Sequence, residues 1–153
     1  MRVYRLTSAK FESTAFEGIG SKRVGGRWNS PGRAVVYTSE HPAVAAMELL
    51  VHVKRSQLLR DSYLMIPVEV PDDLVETLNP VALSPGWNSP EESRLTTDIG
   101  DAWYDQGASV ALRVPSVVMS GQFNVLLNPL HRGWQRIRRS AAKPFLFDAR
   151  LGE

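Results

Sequence analysis

One arginine in this sequence has the setting of a ligand-binding group. Arg27 stands inside the run Gly25-Gly26-Arg27-Trp28-Asn29-Ser30-Pro31-Gly32. Glycine lets a backbone approach a ligand closely, and a guanidinium offers a planar fork of donors that suits phosphate or carboxylate oxygens. A β-hairpin in which Arg27 forms a structural salt bridge explains the same pattern equally well.

Glu48 is a second candidate because it occurs in an otherwise apolar helical pattern. The segment from His41 to Val53 has an early proline followed by alanine, leucine and methionine, which predicts a helix. Its apolar stripe at helical spacing comprises Val44, Met47 and Val51. A carboxylate beside such a stripe is costly to bury unpaired, so Glu48 needs a cation, a donor or a ligand. His52, one turn later, either orients this carboxylate or forms a surface ion pair with it.

Tyr37 and Ser116 complete the set of polar candidates. Tyr37 belongs to a predicted buried strand from Val35 to Thr38, and Ser116 follows a strand predicted from Ser109 to Val114. A single tyrosine or serine is commonly core filler or a cap. Together with the arginine and the glutamate, however, these side chains could hold a phosphate-bearing ligand, stack on a ring and stabilise positive charge.

Composition and motifs exclude several kinds of site. The sequence has 153 residues, 43% of them hydrophobic, and a formal net charge of +2. It contains no cysteine, which excludes disulfides, thiolate zinc sites and cysteine nucleophiles. P-loop, zinc-protease and nucleophile-elbow motifs are absent, and the three histidines lack metal-ligand spacing, so we expect no metal. No segment resembles a signal peptide or membrane span, so we expect a cytoplasmic protein without membrane contact.

A basic segment lies late in the chain and comprises Arg132, Arg136, Arg138, Arg139 and Lys143. Such a cluster could bind nucleic acid, a phosphate-bearing ligand or an acidic partner, although a solvated surface explains most of it. A dedicated nucleic-acid binder is usually more basic and carries interleaved aromatic residues. A non-catalytic nucleic-acid-binding module is therefore the least favoured interpretation.

The order of predicted elements indicates an α+β domain. Strands are predicted at Val3–Leu6, Val35–Thr38, Tyr63–Val70, Val75–Leu78, Ser109–Val114, Phe123–Leu127 and Pro144–Asp148. Ser8 to Lys22 is predicted to be a loop with one helical turn around Ala9 to Phe11. A second helix is predicted from Ser89-Pro90-Glu91-Glu92 to about Gln106, with an inward face of Leu95, Ile99, Ala102 and Trp103. Because helices and strands alternate irregularly, we expect a single domain over residues 1–153 with a mixed, split central β-sheet flanked by helices.

Three blocks of the sequence resemble the RES-domain toxins of bacterial toxin–antitoxin modules, a family named for an arginine, a glutamate and a serine. The blocks are Gly25-Gly26-Arg27-Trp28-Asn29 with Val36-Tyr37-Thr38, Glu48-Leu49-Leu50-Val51-His52, and Asn124-Val125-Leu126-Leu127-Asn128-Pro129-x-His131. The resemblance implies that the catalytic residues are Arg27, Tyr37, Glu48 and Ser116. It also implies substrate contacts from Arg27, Tyr37, Ser116 and Asn124.

The resemblance further implies a fold like that of ADP-ribosyltransferase toxins and an activity that depletes NAD⁺ by cleaving its nicotinamide–ribose bond. Water or inorganic phosphate would be the acceptor, and NAD⁺ is then a substrate, with no separate cofactor. Transfer of ADP-ribose to a protein or nucleotide is the alternative. The implied partner is an antitoxin with an Xre-like helix-turn-helix domain, and DNA would be contacted only through the toxin–antitoxin complex. All of this requires Arg27 and Glu48 to line one cleft.

Overall fold

A mixed β-sheet forms the centre of the fold. The computed structural model describes residues 1–91 and 93–152. Within these ranges the strands are β1 (Arg2–Ser8), β2 (Val36–Ser39), β3 (Tyr63–Glu69), β4 (Val75–Thr77), β5 (Ala111–Pro115), β6 (Phe123–Leu127), β7 (Arg138–Arg139) and β8 (Lys143–Phe145). The order is β4-β5-β6-β2-β1-β3, and both β7 and β8 pair with the outer side of β3. The β4–β5 pair is parallel and the other pairs are antiparallel.

The sheet is nearly divided between its two central strands. β1 and β2 pair at a single register position, Tyr4 opposite Ser39. By contrast, β1 pairs with β3 along its whole length, and β2 pairs with β6 along its whole length. The predicted α+β class with a mixed, split sheet is therefore confirmed, and the split lies between β1 and β2.

Four α-helices lie within the described ranges: α1 (Ile19–Val24), α2 (Pro42–His52), α3 (Arg55–Leu58) and α4 (Ser93–Gln106). Short 3₁₀ turns occur at Ala9–Thr14, Asp72–Leu74, Pro80–Ala82, Trp134–Arg136 and Ala149–Gly152. His41 caps α2 by accepting a hydrogen bond from the backbone N–H of Ala43. Pro42 occupies the first turn, as the sequence predicts. None of the helices in these ranges is long and apolar enough to cross a membrane.

The structure corrects the predictions for two segments, α4 and α1. α4 begins at Ser93, so Ser89 and Pro90 precede the helix, and Glu92 lies outside the described residues. The inward face of α4 includes Trp103, which is buried, but not Ala102, which is exposed. α1 lies within and just beyond the segment from Ser8 to Lys22, which was predicted to be mainly loop.

The predicted apolar stripe on α2 is only partly correct. Val44 is buried, but Met47 and Val51 are 37% and 57% exposed. Ala45 is buried instead, packed with Leu6 of β1 and Leu58 of α3. The buried face of α2 is therefore rotated toward Ala45, which leaves Glu48 and Val51 at the edge of the helix–sheet contact.

The basic segment forms the edge of the sheet. Arg138 and Arg139 make up β7, beside the end of β3, and Lys143 begins β8. Arg136 makes two hydrogen bonds to the carboxylate of Asp73, at 2.7 and 2.9 Å. Charged residues on an edge strand discourage pairing with other chains, which is a structural use for these side chains.

Candidate active site

A cavity of about 530 Å³ lies beside the junction of β1 and β2. Its lining includes Arg27, Tyr37, Glu48 and Asn124, so four of the five predicted site residues face one cleft. Ser116 is not part of the lining. The volume is within the range of cavities that hold small ligands and cofactors.

Glu48 presents its carboxylate to this cleft with one oxygen held and the other open. Its Oε1 accepts hydrogen bonds from Ser116 Oγ at 2.7 Å and from Asn124 Nδ2 at 2.6 Å. No donor among the described residues contacts Oε2, and that oxygen is not buried. Ser39 Oγ donates to Asn124 Oδ1 at 2.7 Å, which fixes the orientation of the amide. The carboxylate is thus fixed by a buried polar network and keeps one free oxygen for a ligand.

Ser116 lies behind Glu48 rather than on the cavity wall. It is 5% exposed, and its hydroxyl accepts a hydrogen bond from the backbone N–H of Met119 at 2.9 Å while donating to Glu48. The hydroxyl proton points at the carboxylate, so the structure gives Ser116 a contact with Glu48, and its expected direct contact with substrate stays a prediction. Gln122 closes the same loop through its backbone, accepting from the N–H of Ser116 at 2.8 Å.

Arg27 lies in a hydrogen-bonded turn that carries its side chain to the cleft. The backbone N–H of Gly26 donates to the carbonyl of Asn29 at 2.9 Å, which makes a tight turn around Arg27. One guanidinium nitrogen, Nη2, donates to the carbonyl of Trp87. Its Nε is buried and has no hydrogen-bond partner among the described residues. Arg27 has no acidic partner in the described part of the chain, so the alternative of a structural salt bridge is not what this structure contains.

Tyr37 supports the arginine segment through its hydroxyl while it lines the cavity. The hydroxyl accepts from the backbone N–H of Trp28 at 3.0 Å and donates to Asn29 Oδ1 at 2.7 Å. Burial raises the pKa of Tyr37 well above its ordinary value, so the phenol remains a donor. Gly26 has to be glycine here, because a Cβ at that position would lie 2.5 Å from the Tyr37 hydroxyl oxygen.

A second arginine in the cleft, Arg5 of β1, was missed by the sequence analysis. It lines the cavity and donates to the carbonyls of Ala15 at 3.2 Å and Tyr37 at 3.1 Å. Burial lowers the pKa of Arg5, and no described carboxylate pairs with it. A usable signal was present, since Arg5 falls two residues after the core residue Val3 and so shares its strand face.

His52 also lines the cavity but makes no hydrogen bond to Glu48 among the described contacts. Its predicted function as the group that orients this carboxylate is therefore performed by Ser116 and Asn124. Val51, Val117 and Val118 add apolar surface to the lining. Among the described residues, the cleft thus combines two arginines without acidic partners, one carboxylate and apolar walls, which suit a ligand that carries phosphates and a ring.

These features define an α+β protein in which a cleft beside a split sheet holds an arginine and a glutamate. The RES domain family matches residues 2–148. The chain belongs to this family of toxins.

Two relatives support that membership, and a solved structure shares the fold. Toxin Res of Photorhabdus laumondii subsp. laumondii is 34% identical over 152 residues, which cover 99% of this chain and 97% of that protein. The Prs ADP-ribosylating toxin of Sphingobium sp. is 33% identical over 144 residues, covering 92% and 89%. In the crystal structure of the M. tuberculosis MbcT–MbcA toxin–antitoxin complex, a chain superposes with a TM-score of 0.74 at 19% identity. The match covers 95% of this chain and 84% of that chain. At that identity the likeness concerns the fold.

Proposed function

We propose that this toxin depletes NAD⁺ by cleaving the bond between nicotinamide and ribose. The observation that carries the proposal is the shared cleft of Arg27 and Glu48, with Glu48 Oε2 open and Arg27 free of any acidic partner among the described residues. A dinucleotide needs both groups, because its pyrophosphate is anionic and its ribose becomes cationic as nicotinamide departs.

Cleavage of the nicotinamide–ribose bond requires the protein mainly to bind NAD⁺ and to stabilise the charge that develops on the ribose. The nicotinamide of NAD⁺ already carries positive charge, so it can leave without a general acid. The C–N bond breaks with its electron pair going to nicotinamide, and an oxocarbenium-like ribose results. Glu48, fixed through Oε1, stabilises that cation with its other oxygen. Water or phosphate then attacks the ribose.

Each remaining polar group has a corresponding task. Arg27 binds the pyrophosphate or the adjacent ribose as a forked donor, and Arg5 supplies a second positive charge on the same cleft. The ring of Tyr37 lines the nicotinamide side. Ser116 and Asn124 act on the substrate through Glu48, whose orientation they fix.

A transferase is the second candidate, and the name of the Sphingobium relative, a Prs ADP-ribosylating toxin, favours it. In that reaction a protein or nucleotide nucleophile replaces water, while the bond that breaks and the stabilising carboxylate stay the same. The exposed basic segment permits the third, non-catalytic interpretation, nucleic-acid binding. That interpretation leaves the Glu48 network without a use.

The products of NAD⁺ distinguish these candidates. Purified protein is incubated with NAD⁺ that is isotopically labelled in its ADP-ribose part, and the fate of the NAD⁺ is followed by NMR. The incubation is repeated with inorganic phosphate and with a cell lysate as a source of acceptors. Free ADP-ribose indicates hydrolysis, ADP-ribose 1″-phosphate indicates phosphorolysis, and label retained on a macromolecule indicates transfer. Intact NAD⁺ under all conditions would contradict the proposal, and a salt-sensitive DNA shift in that case would favour the nucleic-acid module.

We also propose that a small antitoxin with an Xre-like helix-turn-helix domain binds this toxin in the cytoplasm and blocks the cleft. Support comes from the MbcT–MbcA toxin–antitoxin complex, because one chain of that complex has the same fold as this protein. Co-expression with the neighbouring open reading frame should restore growth and yield a stable complex, and DNA should bind that complex but not the isolated toxin. Growth arrest that persists despite co-expression would contradict this partner.

A further inference from the structure

Helix α4 lies against the arginine segment, defined here as residues 25–33, along one face of the helix. Thr96 Oγ1 donates to the carbonyl of Arg27 at 2.7 Å, and Thr96 is fully buried. One turn later, Gly100 packs so closely on Trp28 that a Cβ would lie 1.7 Å from the Trp28 carbonyl oxygen. Asp101 then accepts hydrogen bonds from the backbone N–H of Ser30 at 2.9 Å and from its hydroxyl.

The Thr96 contact falls on the peptide group that joins Arg27 to Trp28, and the Gly100 and Asp101 contacts hold the residues that follow it. The carbonyl of this peptide group accepts from Thr96 on α4, and its N–H donates to the Tyr37 hydroxyl on β2 at 3.0 Å. A peptide group is planar, so two hydrogen bonds at its opposite ends fix its rotation. The direction in which the Arg27 side chain leaves the backbone is set by that rotation.

We propose that α4 is a positioning element for Arg27, and that Thr96 and Gly100 are the residues through which it acts. None of the described side chains of the helix belongs to the cleft lining. Thr96 holds the carbonyl of Arg27, and Gly100 permits the close approach that this hydrogen bond requires. A displacement of the segment by about 1 Å would move the guanidinium away from a bound phosphate, which is enough to weaken catalysis strongly.

This inference rests on the proposed function only in its kinetic test, so the experiment includes a readout that does not use NAD⁺. The variant is Thr96→Val, which keeps the shape of the side chain and removes the hydroxyl. The control is Thr97→Val, because Thr97 is the next residue of α4 and its hydroxyl donates within the helix to Arg94, at 2.9 Å. Thr96→Ser retains the donor and serves as the rescue. Gly100→Ala is the more severe variant.

We expect Thr96→Val to raise KM for NAD⁺ roughly fivefold or more, with Thr96→Ser and Thr97→Val close to wild type. A loss of stability alone would reduce the folded fraction and so lower the apparent kcat without changing KM. We also expect the NMR resonance of the Arg27 Nε–H, assigned with Arg27→Lys, to shift or broaden in Thr96→Val and to remain unchanged in Thr97→Val.

The two readouts separate the possible failures. Thr96→Val with a wild-type KM and an unchanged Arg27 resonance would overturn the positioning role. If the wild-type toxin leaves NAD⁺ intact, the proposed function fails, and the Arg27 resonance alone then decides whether α4 positions this side chain. Equal effects of Thr96→Val and Thr97→Val on that resonance would also overturn the proposal, because they would indicate a general loosening of the helix.

Discussion

The side chains around Glu48 have two different roles: some fix the orientation of its carboxylate, and the carboxylate itself acts on the ligand. Two donors hold one carboxylate oxygen, and the other oxygen remains available. Ser116 and Asn124 hold the carboxylate in place, because both side chains are buried and both donate a hydrogen bond to Glu48. Such an arrangement keeps a charge fixed while the reaction proceeds, which is the condition for strong electrostatic catalysis.

Ser116→Ala tests this division at the scale of one residue. The change removes one of the two donors to Glu48 and leaves the backbone N–H of Met119 without its partner. We expect kcat for NAD⁺ to fall roughly tenfold or more while KM changes little, because a charge-assisted hydrogen bond to a catalytic group is lost. Steady-state kinetics measure both constants.

Ser120→Ala is the matched control for this variant, since Ser120 lies exposed in the same loop. It should leave both constants near wild type. A rise in KM at constant kcat for Ser116→Ala would instead indicate a direct substrate contact, as the resemblance implies, and would contradict the holding role.

At the scale of elements, the strands and helices of the site differ in how easily the sequence reveals them. α2 was predicted to within one residue at each end, because its early proline and its alanine, leucine and methionine residues are local signals. α1 was missed because six residues flanked by Gly18 and Gly25 carry no helical periodicity. The start of α4 was placed three residues early, at Pro90, on the strength of a serine and a proline that precede the helix.

The presence or absence of a local sequence signal also explains which site residues can be predicted from the sequence. Arg27, Tyr37, Glu48 and Asn124 occur in recognisable blocks, and all four line the cleft. Arg5 and Thr96 belong to the same site only because the fold brings β1 and α4 beside the arginine segment. Strand alternation places Arg5 on the same face as the core residue Val3, but the contacts of Arg5 and Thr96 join distant parts of the chain, which no local pattern encodes.

Two acidic residues of α4 provide a matched test of how this helix holds the arginine segment. Asp101 is partly buried and accepts two hydrogen bonds from Ser30, whereas Asp105 pairs with Arg33 at the surface. Asp101→Ala should lower the free energy of unfolding by roughly 1–3 kcal/mol, because the partly buried donors of Ser30 lose their acceptor. Asp105→Ala should change it little, since an exposed ion pair is screened by solvent.

Urea denaturation of both variants measures this difference. Equal destabilisation by Asp101→Ala and Asp105→Ala would contradict the account, because it would mean that the ion pairs with Arg33, rather than the hydrogen bonds to Ser30, connect α4 to the segment.

For the molecule as a whole, the split sheet places function and stability in different regions. The cleft lies where β1 and β2 separate, whereas continuous pairing and core clusters stabilise the two halves. One core residue, Tyr63, reduces the stability of the fold, since its hydroxyl is buried without a hydrogen-bond partner among the described residues. Its ring packs against Phe147 at 5.3 Å between centroids, which accounts for the aromatic side chain but not for the hydroxyl.

Tyr63→Phe should therefore raise the stability of the protein. Removing an unpartnered buried hydroxyl while keeping the ring should increase the free energy of unfolding by roughly 1–3 kcal/mol, as measured by urea denaturation. Activity should stay at the wild-type level, because Tyr63 does not line the cleft. A destabilised Tyr63→Phe variant would mean that the hydroxyl has a partner in solution.

The most direct test of the central claim is the turnover of NAD⁺ by Glu48→Gln. A glutamine can still accept hydrogen bonds from Ser116 and Asn124 through its amide oxygen, so the variant keeps the held geometry and removes the negative charge. We predict that wild-type protein releases nicotinamide, followed by NMR, and that the variant does so at least about a hundredfold more slowly with unchanged thermal stability. Wild-type turnover by Glu48→Gln would contradict the electrostatic role of this carboxylate and, with it, the mechanism proposed for the cleft.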